Sequence, residues 1–156
     1  MPMREALLTP SLSSSSKPST ALYSVQSGFL VAFFGGGFAI ILYAALNSIR
    51  LRRPLDALAY VAASALLCAL FYAAAISWPP LVTLLDTLGQ GSWRYVSRAA
   101  SLLLFGAFYL LHRKEHRSAE LFGLAPLSPW IPAIACMAVG YGLHSGLVHL
   151  LSKGAA

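Results

Sequence analysis

Residues His112-Arg-Lys-Glu115-His116 spell H-x-x-E-H, a pattern with which two imidazoles four apart on a helix chelate zinc while the glutamate serves as base. That chemistry needs a third ligand well downstream, and no Asp or Glu follows Glu120. The letters also sit in a charged run of nine, residues 112–120, where they collect by chance, so it reads as a solvated juxtamembrane loop. The other two histidines, His144 and His149, lie five apart, about 140° around a helix, and share no face. All four together do not suit a haem, because His112 and His116 fall beyond one end of an apolar segment and His144 and His149 near the opposite end of another. His144 lies one turn deeper than His149, beside Ser145 and a G-x-x-x-G face. An ionisable group at that depth is a functional candidate by default.

The five acids, Glu5, Asp56, Asp86, Glu115 and Glu120, fall in a tail, at helix ends or in loops. A four-span proton-coupled exporter would need a carboxylate inside a span, so that mechanism is not expected. Cys68 and Cys136 both fall within apolar segments, which excludes a paired-cysteine loop and thiol oxidation. No catalytic residue, cofactor or metal is expected, and the chain does not read as an enzyme.

Whatever chemistry remains must be positioned by lipid-embedded elements. Hydrophobic residues make up 58% of the chain and charged residues 10%, against roughly 25% charged in soluble domains. So short a soluble chain could not hide that much apolar surface. The net charge of +6 comes from clusters at the ends of apolar segments, which act as membrane anchors and topology signals. Nucleic acid is therefore not an expected partner; the lipid bilayer is.

The sequence predicts an all-α, polytopic transmembrane bundle of four spans, about 28–48, 57–78, 93–111 and 127–151. These make one membrane domain, 23–151, between a polar tail at 1–22 and a short tail at 152–156. The tail is rich in serine, and Leu7, Leu8 and Leu12 suit a brief interfacial turn. The uncharged stretch Gly28–Leu46 extends roughly 28 Å as a helix, matching a hydrocarbon core of about 30 Å. Ala62, Ala65, Ala69 and Ala73 give the second span a smooth face for close packing. In the third, Arg94 and Arg98 occupy the first turns and leave thirteen uncharged residues, a length that also suits an interfacial or re-entrant helix. Leu81–Gly91 reads as a short connection. In the fourth, Gly142 and Gly146 form the G-x-x-x-G contact face.

Four spans would place both termini on one side. Arg50, Arg52, Arg53, Arg113, Lys114 and Arg117 crowd the first and third loops, so the termini are expected outside the cytoplasm.

The first span carries a further pattern: Tyr23-Ser24, Phe33, Gly35-Gly36, Ala39, Ala45, Asn47 and Leu51. It resembles a family of small uncharacterised bacterial inner-membrane proteins with a Tyr-Ser pair, a Gly-Gly in the first span and a closing Ala-x-Asn. Gln26 is displaced by one place from the family's glutamine, and Gly37 stands where proline is frequent. Gly123 and Ser128-Pro129-Trp130 look like a weaker copy of a Gly and Ser-Trp pair before the last span. The resemblance implies a multi-pass protein of the bacterial cytoplasmic membrane and brings no activity or ligand with it.

Glycines at 35–37 cost helix propensity, and serve either as a close contact or as a break whose carbonyls line a polar site. Asn47 suits a cap or an interhelical hydrogen bond. Two functions follow as expectations. The chain associates with itself or with a larger membrane complex through its Gly/Ala faces. Alternatively, it is a small transporter or channel with a polar path past the first-span glycines and His144.

Overall fold

An apolar run in lipid finds no water for its backbone and must close its own hydrogen bonds, so these runs become helices. The computed structural model describes residues 22–121 and 127–154 and is all-α. The elements are α1 (Val25–Leu30), a π-helical turn (Val31–Gly35), α2 (Gly36–Arg50), α3 (Asp56–Ala75), α4 (Pro79–Leu88), α5 (Ser92–Leu121) and α6 (Trp130–Gly154). Four stretches are long and apolar enough to cross a membrane: Val25–Arg50, Asp56–Ala75, Ser92–Ser118 and Trp130–Lys153. The chain is a multi-pass membrane helical bundle.

The first stretch is folded back on itself. Ser27 Oγ lies 2.6 Å from Tyr43 Oη, and Tyr23 N–H donates to Asn47 Oδ1 at 3.0 Å. Sixteen residues of straight helix would hold Ser27 and Tyr43 about 24 Å apart. The reversal falls at Gly36, whose φ of 79° and ψ of −172° suit glycine alone. The widened turn Val31–Gly35 leads into it, and α2 returns beside α1. This hairpin is the centre of the bundle: 39% of its apolar window is buried, against 17% for each of the other three stretches.

Three of its contacts are close enough to need small residues. A Cβ at Gly37 would lie 2.5 Å from Leu67 of α3, and one at Gly35 would lie 2.6 Å from Met137 of α6. From the opposite wall, a Cβ on Gly140 would fall 2.6 Å from the Ala39 backbone nitrogen. The first-span glycines therefore do both things the sequence offered. Gly35 and Gly37 admit neighbours, while Gly36 breaks the helix.

Several expectations are corrected. Leu127 N–H donates to Leu22 C=O at 3.2 Å, which brings the start of the described chain beside the start of α6. The start of the described chain thus lies at the end of the bundle with the α2–α3 loop and the start of α6, opposite the end of α6. Hydropathy reads eleven residues in and fifteen back as one long span, which hid the reversal. Residues 112–120 are no loop: α5 runs on to Leu121. Lys, Arg, Glu and Ala are good helix formers, and the contacts of His112 hold the extension in place. The connection after Pro79-Pro80 contains α4, with proline suited to its first turn and Leu81 buried. The fourth span begins at Trp130 rather than 127.

Within this chain Gly142 and Gly146 lie on an uncovered face where a Cβ would meet nothing, which leaves that face open to a second helix. The contact glycine of α6 is Gly140. The expected tail with Leu7, Leu8 and Leu12, together with Gly123, lies outside the described residues.

Candidate functional site

Two polar sites flank the reversal. The first closes the end of the bundle where α2, α3 and α5 meet. The last turn of α2 presents Ser48, the first turn of α3 presents Asp56, and Tyr60 follows four residues on, on the same face. From α5 comes His112. Ser48, Asp56 and His112 are 3%, 5% and 2% exposed.

Ser48 Oγ donates to Asp56 Oδ2 at 2.7 Å, and His112 Nε2 lies 3.2 Å from the same oxygen. Nε2 also lies 2.8 Å from Ser48 Oγ. With Ser48 Oγ donating to Asp56, its contact with Nε2 needs a proton on Nε2, which then faces both oxygens. Tyr60 Oη contacts Ser48 Oγ and donates to the Ala44 carbonyl at 3.1 Å. Above this lies Arg53, with Nε 3.5 Å from Asp56 Oδ1 and Nη1 2.5 Å from Glu115 Oε1. Glu115 Oε2 is buried without a partner among the described residues.

Serine, histidine and aspartate in contact raise the question of nucleophilic catalysis. A Ser–His–Asp triad places serine and aspartate on opposite ring nitrogens, so that histidine takes the serine proton. Here both sit on Nε2, and Ser48 gives its proton directly to Asp56. That is a closed triangle with no proton relay. The zinc pattern does not assemble either: His112 turns to Asp56, and among the described residues no group of three His, Cys, Asp or Glu is placed to hold a metal. A cavity of about 30 Å³ beside Tyr43, Asn47, His112 and His116 has room for about one water.

The second site lies on the far side of the reversal. Gly35–Gly37, Phe71, Arg98 and His144 line a cavity of about 210 Å³. Counting from Asp56, Leu67 at its wall is eleven residues along α3, about 17 Å into the bundle. The Arg98 guanidinium stacks over Phe33, 4.8 Å from the ring centroid, and the His144 ring meets Phe71 edge-on at 4.9 Å. Ser97 and Ser101 also face it, but their hydroxyls already donate to backbone carbonyls.

Gly35, Gly36 and His144, singled out in the sequence for separate reasons, thus meet at one cavity. Asn47 anchors the chain entering the hairpin through Tyr23. Sequence reasoning missed the Ser48–Asp56–Tyr60–His112 cluster. Asp56 looked like a helix-end acid and His112 like part of a solvated run. The available signal was the Asp56/Tyr60 spacing on one face of α3.

No protein-family model, curated protein or solved structure matches the chain.

Proposed function

We propose that this chain is a small, non-enzymatic membrane transporter or channel whose solute path runs past the hairpin tip. The reversal at Gly36, open onto a cavity at membrane depth, carries this reading. Non-helical backbone inside a bilayer is tolerated where it is packed in protein or lines a water-filled cavity, and interrupted helices are how transporters build solute sites. The Asp56–His112 cluster supports it from the other end. Ionisable groups inside a membrane bundle are costly and mark function. Placed between the cavity and one end of the bundle, this pair would close the path.

The end bearing Arg50, Arg52, Arg53, Arg113, Lys114 and Arg117 would face the cytoplasm, with Arg94, Arg98 and Lys153 toward the other side. The start of the described chain would then be cytoplasmic and the end of α6 external, in a bacterial inner membrane. Kinship with the resembling family of small inner-membrane proteins belongs to the same proposal.

Purified protein in liposomes should make them permeable to one class in a panel of small anions, cations and neutral solutes, read by osmotic swelling. Arg98→Gln and His144→Ala should each change that rate several-fold. Liposomes as tight as protein-free ones across the panel would contradict the reading.

A second reading, association with a second copy or a membrane partner, is favoured by the uncovered Gly142/Gly146 face. Small residues so placed let helix backbones approach closely in lipid.

A further inference from the structure

We infer that the cavity at the hairpin tip binds a small carboxylate carried on an apolar or aromatic body. The inference rests on the proposed reading in one respect, that solute rather than lipid occupies the cavity. Its one fixed charge is the Arg98 guanidinium; His144 also lines it, and among the described residues no Asp or Glu does. The ion pairs among the described residues are made by Arg53, Asp56, His112 and Glu115, so Arg98 has no carboxylate in the fold. The Arg98 side chain is exposed, with one face of its guanidinium on Phe33, so it is free to pair with an anion entering the cavity.

The stacking geometry leaves the right atoms available. Phe33 occupies the face of the guanidinium, so its N–H edge remains for the two oxygens of a carboxylate. α2 starts at Gly36 on the same cavity, but the helical run Val25–Gly35 ends there too, so the opposed dipole ends offset each other and leave Arg98 as the positive charge. At Gly36 a Cβ would meet nothing, so the backbone there is bare toward the open space.

The rest of the wall sets the body of the ligand. Phe33, Phe34, Phe38 and Phe71 make it apolar and aromatic. At about 210 Å³ the cavity is smaller than the roughly 300–1,000 Å³ of drug-sized sites, which favours a compact acid. The hydroxyls of Ser97 and Ser101 have given their protons to backbone carbonyls, so Arg98 is the principal donor.

The test uses benzoate as probe and benzylamine, its cation of similar shape, as control, by calorimetry on the full chain in lipid-free non-ionic detergent. Benzoate should bind and benzylamine should not. Arg98→Gln should weaken benzoate at least tenfold, and Arg98→Lys, which keeps the charge but not the stacked two-pronged edge, should recover only part of that loss. Thermal melting without ligand separates loss of the site from loss of the fold. Equal binding of both probes, unchanged affinity in Arg98→Gln, or binding of phosphatidylglycerol but not benzoate would overturn the inference. Benzoate binding to a protein that leaves every liposome tight would remove the transport reading and keep this site. Permeability to cations without benzoate binding would do the reverse.

Discussion

Replacing His112 with leucine should destabilise the protein by about 1–3 kcal/mol, the cost of leaving a buried hydrogen-bonding group short of a partner. Asp56 is 5% exposed, and after the change its Oδ2 keeps only Ser48. Arg53 does not replace the lost partner, because its Nε stands 3.5 Å from the other oxygen and its side chain is 39% exposed. Asp56→Leu alone should also be costly, since it removes the acceptor of the Ser48 hydroxyl and one partner of His112 Nε2. Asp56→Leu/His112→Leu should be far less damaging than the sum of the two, because neither Asp56 nor His112 is then left short of a partner. A double-mutant cycle read by unfolding in mild detergent should give a coupling of at least about 1 kcal/mol. Additive losses would mean that the two side chains do not form the pair. Arg53→Gln is a useful contrast. Its pair with Glu115 is 39% and 27% exposed, so that pair contributes under about 1 kcal/mol, and the rest of any loss reports the 3.5 Å contact of Arg53 with Asp56.

Gly140→Val should cost roughly 2–3 kcal/mol or more, by the overpacking of a contact that cannot relax cheaply. A Cβ at Gly140 would stand 2.8 Å from Ala39 Cα as well as 2.6 Å from its nitrogen. A flexible side chain could move aside; backbone just past the reversal cannot without shifting α2. The same substitution at Gly142 or Gly146 meets open space, so each should stay within about 0.5 kcal/mol of the parent. Melting of the three variants in one detergent checks the ranking, and equal losses would contradict the α2–α6 contact. If the association reading holds, Gly142→Val and Gly146→Val should disperse an oligomer on blue-native gels without unfolding the protomer.

Both results turn on features that the sequence showed unequally. The membrane bundle was legible because hydropathy is a sum over many residues and survives errors at any one. Gly35, Gly36 and His144 were legible as candidates because glycine in a span and an imidazole in lipid both need a reason. Their meeting was offered only as a shared polar path in the alternative reading, and the sequence could not place it, since it depends on a reversal that no window average can detect. The same hairpin hides Tyr23 beside Asn47, two residues of the Tyr-Ser and Ala-x-Asn pattern that a straight helix would hold far apart.

His112 shows a different limit. Its neighbours are Arg113 and Lys114, both exposed, and a run of such letters reads as solvated. Helical phase carries His112 inward while Arg113 and Lys114 face out. Period matters more than composition there, but phase cannot be assigned until the run is known to be helix. Asp56 was assigned to a helix end, which is correct, yet that end is capped by α2 and α5 and is not wet.

The hairpin underlies the cavity, the closed end and the orientation, so its topology is the most direct test. In a Cys68→Ala/Cys136→Ala background, single cysteines at Gln26, Arg52 and Ser152, all exposed, can be labelled with a membrane-impermeant maleimide in intact and permeabilised cells. Cysteines at Gln26 and Arg52 should label from the same side and the one at Ser152 from the opposite side. Gln26 labelling together with Ser152, and Arg52 apart from both, would mean that the first stretch crosses the membrane straight and that the reversal at Gly36 does not exist.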